Sequence, residues 1–245
     1  YRSVEKGIVK WKEYMSGFGL GHRLGVDLPG EYSGFIPDTT RYNNPKIFGK
    51  NRWNSCTIAS LGIGQGEIQA TPLQMANAIC LIANKGWYYP PHFVKSIDGE
   101  TAEDTLLNKY RQKIAPLHIP DSAYQAVIDG MEMVVTNGTA RNAKIDGFNV
   151  CAKTGTVENY FRKVKQKDHS FFVAFAPKEN PKIAVCVVVE NGGFGATWAA
   201  PIASLIMEKF LRDSIAGDKR KSEVERIANA SIIPARIKYE RFKRD

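Results

Sequence analysis

Residues 148–190 decide the fold. They open with Phe148-Asn149-Val150-Cys151-Ala152-Lys153-Thr154, resume at Ser170-Phe171-Phe172-Val173-Ala174-Phe175-Ala176, and close with Ile183-Ala184-Val185-Cys186-Val187-Val188-Val189-Glu190. Each segment is short, rich in β-branched and aromatic residues, and bounded by turn formers, which predicts three strands. Pro177-Lys178-Glu179-Asn180-Pro181 is a short turn segment, so the second and third strands are predicted to form an antiparallel hairpin.

Helical patterns flank these strands. Upstream, Asp121 to Thr136 brings Val127, Met131, Val134 and Val135 inward, and Asn137-Gly138 closes the helix. Before it, Thr71 is an N-cap and Pro72 a first helical residue. Leu73, Ala76, Ile79, Cys80 and Ala83 make the apolar face, and Gly86 follows the end. Gly62 to Gly66 is a glycine-rich turn, and Gly25 to Thr40 reads as loop. The first helix runs from about Val4 to Phe18, with Ile8, Trp11, Met15 and Phe18 at helical spacing, and Gly17, Gly19 and Gly21 end it. Downstream, Thr197 to Ser214 sets Trp198, Ile202, Leu205, Ile206 and Phe210 on one face, expected to cover the sheet. Helices, then strands, then a helix is an α+β order rather than an alternating βαβ one.

Composition agrees with a packed domain. The chain has 245 residues, 43% apolar and 24% charged, which argues against disorder and fits one large domain or two small ones. No window approaches 18 uninterrupted apolar residues. Tyr1-Arg2-Ser3-Val4-Glu5-Lys6 has neither a starting Met nor the apolar core of a signal peptide, so a fragment or processed chain is expected. The net charge of +9 favours anionic partners. Part of it sits in the last 28 residues, where nine Lys or Arg accompany five Asp or Glu, read as a solvated, partly disordered extension. The rest lacks the aromatic interleaving of a single-strand binding groove, so nucleic acid is not an expected partner. Cys56, Cys80, Cys151 and Cys186 form no Cys-x-x-Cys pair and sit among apolar residues, which predicts buried free thiols. The four histidines are scattered, and no metal or cofactor is expected.

The string with chemical content is Lys153-Thr154-Gly155-Thr156, expected at the end of the first strand. A lysine there places fixed positive charge beside a cleft, and a threonine hydroxyl can bind a carboxylate. Gly155 omits a Cβ and permits close approach, and the Thr156 N–H can face a developing oxyanion. A peptide would lie along such an edge as an added strand. Three residues alone are a weak signal, but their surroundings are specific. Gly19-Leu-Gly-His-Arg-Leu-Gly-Val-Asp-Leu-Pro-Gly-Glu31, Gly62-Ile-Gly-Gln-Gly-Glu-Ile-Gln-Ala-Thr-Pro-Leu-Gln-Met-Ala76, Gly130-Met-Glu-Met-Val-Val-Thr-Asn-Gly-Thr-Ala140, Ala152-Lys-Thr-Gly-Thr156 and Asp168-His-Ser-Phe-Phe-Val-Ala-Phe-Ala-Pro177 follow in order. From about residue 1 to residue 212 the chain resembles the transpeptidase domain of class B penicillin-binding proteins, most of all the elongation type.

That resemblance implies the penicillin-binding transpeptidase and serine β-lactamase-like fold, an antiparallel sheet covered by helices. Residues 1–216 would be the C-terminal portion of the domain and 217–245 a basic tail. It implies a serine D,D-transpeptidase that cross-links peptidoglycan stem peptides through an acyl-enzyme and is acylated by β-lactams. Lys153 and Thr156 would be its catalytic residues here, and Thr154 and Gly155 its substrate-binding ones. The implied location is the periplasmic side of the bacterial inner membrane, with an anchor upstream. The implied partners are a membrane-embedded glycosyltransferase and elongation-complex proteins.

Two family motifs are not in place. No Ser-x-Asn occurs, and the sole Ser-x-x-Lys, Ser3-Val4-Glu5-Lys6, has only two residues before it. Tyr42-Asn43-Asn44 resembles a variant of the middle motif but falls in a predicted loop. The expectation is therefore a chain that starts after both motifs, lacks two sheet strands and the nucleophile helix, leaves a sheet edge and an apolar face uncovered, and is inactive alone. A non-catalytic peptidoglycan- or partner-binding module is the alternative. A β-lactamase or β-lactam sensor is disfavoured by the long helical stretch before Lys153. His169 is read as satisfying backbone groups at a strand end. Glu158, Asn159 and Tyr160 are expected to rim the cleft, within a basic, solvated loop from 157 to 167 carrying Arg162, Lys163, Lys165 and Lys167. Gly192-Gly193-Phe194-Gly195 either borders the site or only makes the turn. Trp53 and Trp87 are read as packing residues.

Overall fold

The computed structural model describes residues 3–49, 53–98, 107–162 and 164–232. Tyr1, Arg2, Lys163 and residues 233–245 of the basic tail lie outside the described residues. The chain divides into two compact units, 1–129 and 130–245.

In the first unit, α1 (Val4–Gly17) starts at Ser3, whose hydroxyl accepts the Lys6 N–H at 3.4 Å. Ser3 thus serves as a helix cap. Ile8 of α1 is buried with Tyr42 and Leu61, and Trp11, Phe48 and Trp53 close the cluster. Two one-turn helices, α2 (Thr39–Tyr42) and α3 (Pro45–Phe48), follow the loop. The predicted glycine turn is the end of a 3-10 stretch, Ala59–Ile63, with Gly64 left-handed. Then α4 (Pro72–Ala83) begins on a full capping box, Thr71 with Gln74.

The buried face of α4 is rotated from the predicted one. Gln74, Asn77, Ala78, Ile79 and Leu81 are buried, whereas Leu73, Ala76, Cys80 and Ala83 are only partly so. Gln74 explains the difference. Its amide donates to the carbonyls of His22 and Ser33, both at 2.8 Å, and its Oε1 accepts the Thr71 N–H at 2.9 Å. A buried amide that satisfies loop carbonyls outweighs an apolar residue that leaves them bare. Two of the glycine-rich sequence blocks therefore meet at this side chain. Glu31 folds its own loop in the same way, accepting the N–H groups of Leu24, Gly25 and Val26.

α5 (Asp121–Thr136) has the predicted bounds, but Tyr124, Ile128, Met131 and Val135 are its buried residues, and Val127 is 49% exposed. Packing follows i, i+4, i+7, i+11 and leaves Val127 outside that stripe.

The second unit is built on a three-stranded antiparallel sheet in the order β1–β4–β5: β1 (Cys151–Val157), β4 (His169–Ala176) and β5 (Ile183–Val189). The hairpin between β4 and β5 is as predicted. β1 pairs with β4 from Cys151↔Phe175 to Val157↔His169, so the first strand begins three residues later than predicted and holds 153–156 within its length. Within 157–167, β2 (Tyr160–Phe161) pairs antiparallel with β3 (Val164–Lys165). Central β4 is the anchor. Phe172, Ala174 and Ala176 pack with Ala199, Ala200, Ala203 and Met207 of α6 (Ala199–Arg212), and with Val150 and Ala152. Burying one phenylalanine contributes about 1.5–3 kcal/mol.

The face of α6 turned to the core is not the predicted one: Ile206 is 48% and Phe210 61% exposed. Residues 218–228, predicted as solvated extension, form a helix, α7 (Asp218–Ala228). Arg220 bonds buried Glu208 of α6 at 2.7 Å and Ser204 at 3.1 and 3.2 Å. Ile202, Leu205, Ile206, Phe210, Val224 and Ile227 line a groove between α6 and α7. No described helix is long and apolar enough to cross a membrane.

Candidate active site

β1 is an edge strand: β4 pairs one of its sides, and among the described residues no strand pairs the other. On it Cys151 and Ala152 are buried, Lys153 is exposed, Thr154, Gly155 and Thr156 are half-buried, and Val157 is exposed. The strand therefore emerges from the core at the Lys-Thr-Gly-Thr string. Lys153 Nζ donates to the Thr154 carbonyl at 2.8 Å. The Thr154 and Thr139 hydroxyls share a hydrogen bond of 2.9 Å. Thr139 belongs to the 130–140 sequence block, so that block reaches the motif strand directly. Gly138 makes this possible, because a Cβ there would lie 2.8 Å from Val134 Cα.

Gly155 has no room for a side chain: a Cβ would lie 2.8 Å from Phe171 Cδ1. Gly195 sits against the same strand pair. A Cβ on it would strike the Phe171 carbonyl, lie 2.6 Å from Gly155 O and 3.2 Å from Gly155 N. The segment 192–195 thus borders the motif strand, the first of its two readings. Asn142 holds the next residue, donating to the Ala196 carbonyl at 2.6 Å.

His169 stands at the start of β4, and its Nδ1 accepts the Asn191 N–H at 3.0 Å, the strand-end role predicted for it. Asn159 donates to Asn191 Oδ1 at 2.7 Å and to the Lys167 carbonyl at 3.3 Å. Ser170 is fully buried; its hydroxyl donates to the Phe194 carbonyl at 2.9 Å and accepts the Ala199 N–H at 3.1 Å. Sequence reasoning passed over Thr139, Asn142, Ser170 and Asn191 as site residues. Ser170 alone carried a signal, since a hydroxyl inside an apolar strand needs partners.

Tyr42-Asn43-Asn44 is engaged in local packing and capping. Tyr42 is fully buried, stacks on Trp53 and donates to Glu67 at 2.8 Å; burial first, then Glu67, raises its pKa. Asn43 accepts the Trp53 indole N–H at 2.7 Å, and Asn44 caps α3. Trp53 and Trp87 pack as predicted; Trp87 meets Tyr89 edge-on and carries Lys113 over its ring. All four cysteines are free, and Cys56 is exposed, contrary to the expected burial, because it lies in a surface turn where Asn54 caps its N–H. Burial pushes the Cys186 thiol up to about 12 and raises that of Cys80, so neither is a ready thiolate nucleophile.

The family model of the penicillin binding protein transpeptidase domain matches residues 4–208. The peptidoglycan D,D-transpeptidase MrdA of Haemophilus influenzae is 35% identical over 229 residues, covering 85% of this chain and 34% of the relative. The chain thus spans about a third of that relative's length. Pseudomonas aeruginosa penicillin-binding protein 2, solved in complex with WCK 5153, superposes with a TM-score of 0.69 at 35% identity, covering 84% of this chain and 44% of the other. Helicobacter pylori penicillin-binding protein 2, solved with MreC, gives 0.66 at 29% identity, covering 84% and 36%.

Proposed function

The chain belongs to the penicillin-binding protein transpeptidase family, and from that membership we propose that it forms one wall of the cleft of a peptidoglycan D,D-transpeptidase. The observation that carries this reading is the exposed cation and half-buried hydroxyl of Lys153 and Thr154 on an edge strand. Lys153 spends its ammonium on a neighbouring carbonyl of the same strand. The terminal carboxylate of a stem peptide is a stronger acceptor, and charge-assisted bonds of this kind contribute about 1.5–3 kcal/mol. Thr154 adds a hydroxyl to the same carboxylate, and the peptide lies along β1 as a further strand.

The nucleophile is a serine upstream of this chain. Its oxygen attacks the penultimate D-Ala carbonyl, and the Thr156 N–H is half of the oxyanion hole that receives the developing charge. The peptide C–N bond then breaks, and the terminal D-Ala leaves with a proton on its amine. An amine of a neighbouring stem attacks the ester, forms the cross-linking amide and returns the proton to the serine. A β-lactam acylates the serine by the same attack, but its opened ring stays tethered.

The whole protein works on the periplasmic side of the inner membrane, anchored upstream, beside a membrane-embedded glycosyltransferase and elongation-complex proteins. The relative solved with MreC supports that setting. This chain alone carries no acylation chemistry, because Ser3 caps α1 and the sequence holds no Ser-x-Asn. The test is labelling with a fluorescent penicillin, applied to this chain and to a polypeptide extended upstream. Labelling of the extended form alone is expected. Labelling of neither, or of Ser3 in the short chain, overturns the proposal.

A further inference from the structure

One end of the sheet is bound together by polar contacts that sheet pairing does not require. Asn191, in the turn after β5, has φ 54°, a left-handed conformation that asparagine tolerates better than most residues. Its N–H is held by His169 Nδ1 and its side-chain oxygen by Asn159, which follows β1. Asn159 is fixed in turn, since its carbonyl accepts the Gln166 N–H at 2.8 Å. Two residues on, the Gly193 N–H donates to the Asp168 carbonyl at 2.7 Å. Ser170 then takes the Phe194 carbonyl and the Ala199 N–H. The segment so fixed ends in Gly195, which lies against the backbone of Gly155. Ser170 is also the cross-strand partner of Thr156, and His169 that of Val157.

We propose that Asn191 and Ser170 are positioning residues for the Thr156 N–H: through His169, Asn159 and the 192–195 turn they hold the backbone at 155–156 in place by way of Gly195. This rests on the reading of Thr156 as half of the oxyanion hole. Neither side chain touches substrate. Each acts through the Gly195–Gly155 contact, where a displacement of a few tenths of an ångström moves the donor off the oxyanion position. Oxyanion donors lie 2.7–3.1 Å from their target, so the range tolerated is narrow.

Asn191→Gly separates positioning from folding. Glycine accepts φ 54° and keeps the N–H to His169, but it removes the oxygen that holds Asn159. Asn191→Asp restores an acceptor of the same shape. Ser170→Ala removes both of its bonds. In the upstream-extended polypeptide, acylation by a fluorescent penicillin is resolved into its first-order step and its prior non-covalent affinity. The glycine and alanine variants are expected to slow the first-order step about tenfold or more, with affinity within twofold. The aspartate variant is expected to return to within twofold of the parent. In this chain, amide order parameters at Gly155 and Thr156 are expected to fall from about 0.85 toward 0.6 in the same two variants. An unchanged first-order step with unchanged order parameters overturns the proposal, as does a uniform loss of order across the sheet. Absence of labelling in the parent itself would sink the transpeptidase reading, whereas the order parameters report the positioning separately.

Discussion

Gly195→Ala puts the site geometry to its sharpest test. The added Cβ would lie 2.6 Å from Gly155 O, where ordinary contact begins at 3.4 Å, and would also strike the Phe171 carbonyl. Both obstacles are backbone atoms of the paired strands, so no side chain can swing away. Either the 192–195 turn or both strands must move by at least about 0.8 Å, and a misplacement near 1 Å costs about 10²-fold in rate. That factor corresponds to about 2.7 kcal/mol of lost transition-state stabilisation. Overpacking itself costs about 1–3 kcal/mol of stability, so the variant should fold with a lower melting temperature. The assay is the second-order rate of acylation by a fluorescent penicillin in the upstream-extended polypeptide, beside a thermal melt. Acylation within threefold of the parent, in a variant whose melt confirms the strain, would refute the claim that this contact sets the site.

Two further substitutions test the packing. Arg220→Met strands Glu208, which is 3% exposed, and should cost about 3 kcal/mol in urea denaturation; adding Glu208→Leu should recover most of the loss, since an apolar pair replaces the ionic one. Gly7→Ala fills open space inside α1, where no atom lies within 4 Å of the added Cβ, and should raise stability by about 0.5–1 kcal/mol in the same measurement.

The sheet was legible because β-rich runs and a proline-bounded turn are local signals. The start of β1 was not. Phe148 is consumed in a tight turn, bridged back to Ile145 with Gly147 at φ 80°, and pairing begins only where β4 offers Phe175 to Cys151. A run of strand-forming residues states a preference, but its partner sets the register. The candidate site divides along the same line. Lys153 to Thr156 could be recognised as a string, whereas Thr139, Asn142 and Asn191 act by meeting residues 15 to 54 positions away in the chain. Nothing in their immediate neighbours marks them. Gln74 shows the converse case, in which a polar residue left out of the predicted inward face is buried because loop carbonyls need its amide.

The reversed face of α6 has a physical cause that the sequence contained in part. Ala199, Ala200 and Ala203 turn toward the sheet with Met207, and their small side chains let the helix backbone approach β4 and β5 closely. The larger Ile202, Leu205, Ile206 and Phe210 then face away, where α7 meets them through Val224 and Ile227. A helix that is apolar around most of its circumference needs two partners. The sheet supplies one of them, and the second had to come from residues whose net charge argued for solvent. Arg220 resolves that conflict, because it enters the interface only by pairing with Glu208 and Ser204, and its charge is then accounted for. The basic composition of 218–228 thus reflects a helix whose Arg220 is half-buried against α6 and whose remaining charges face outward.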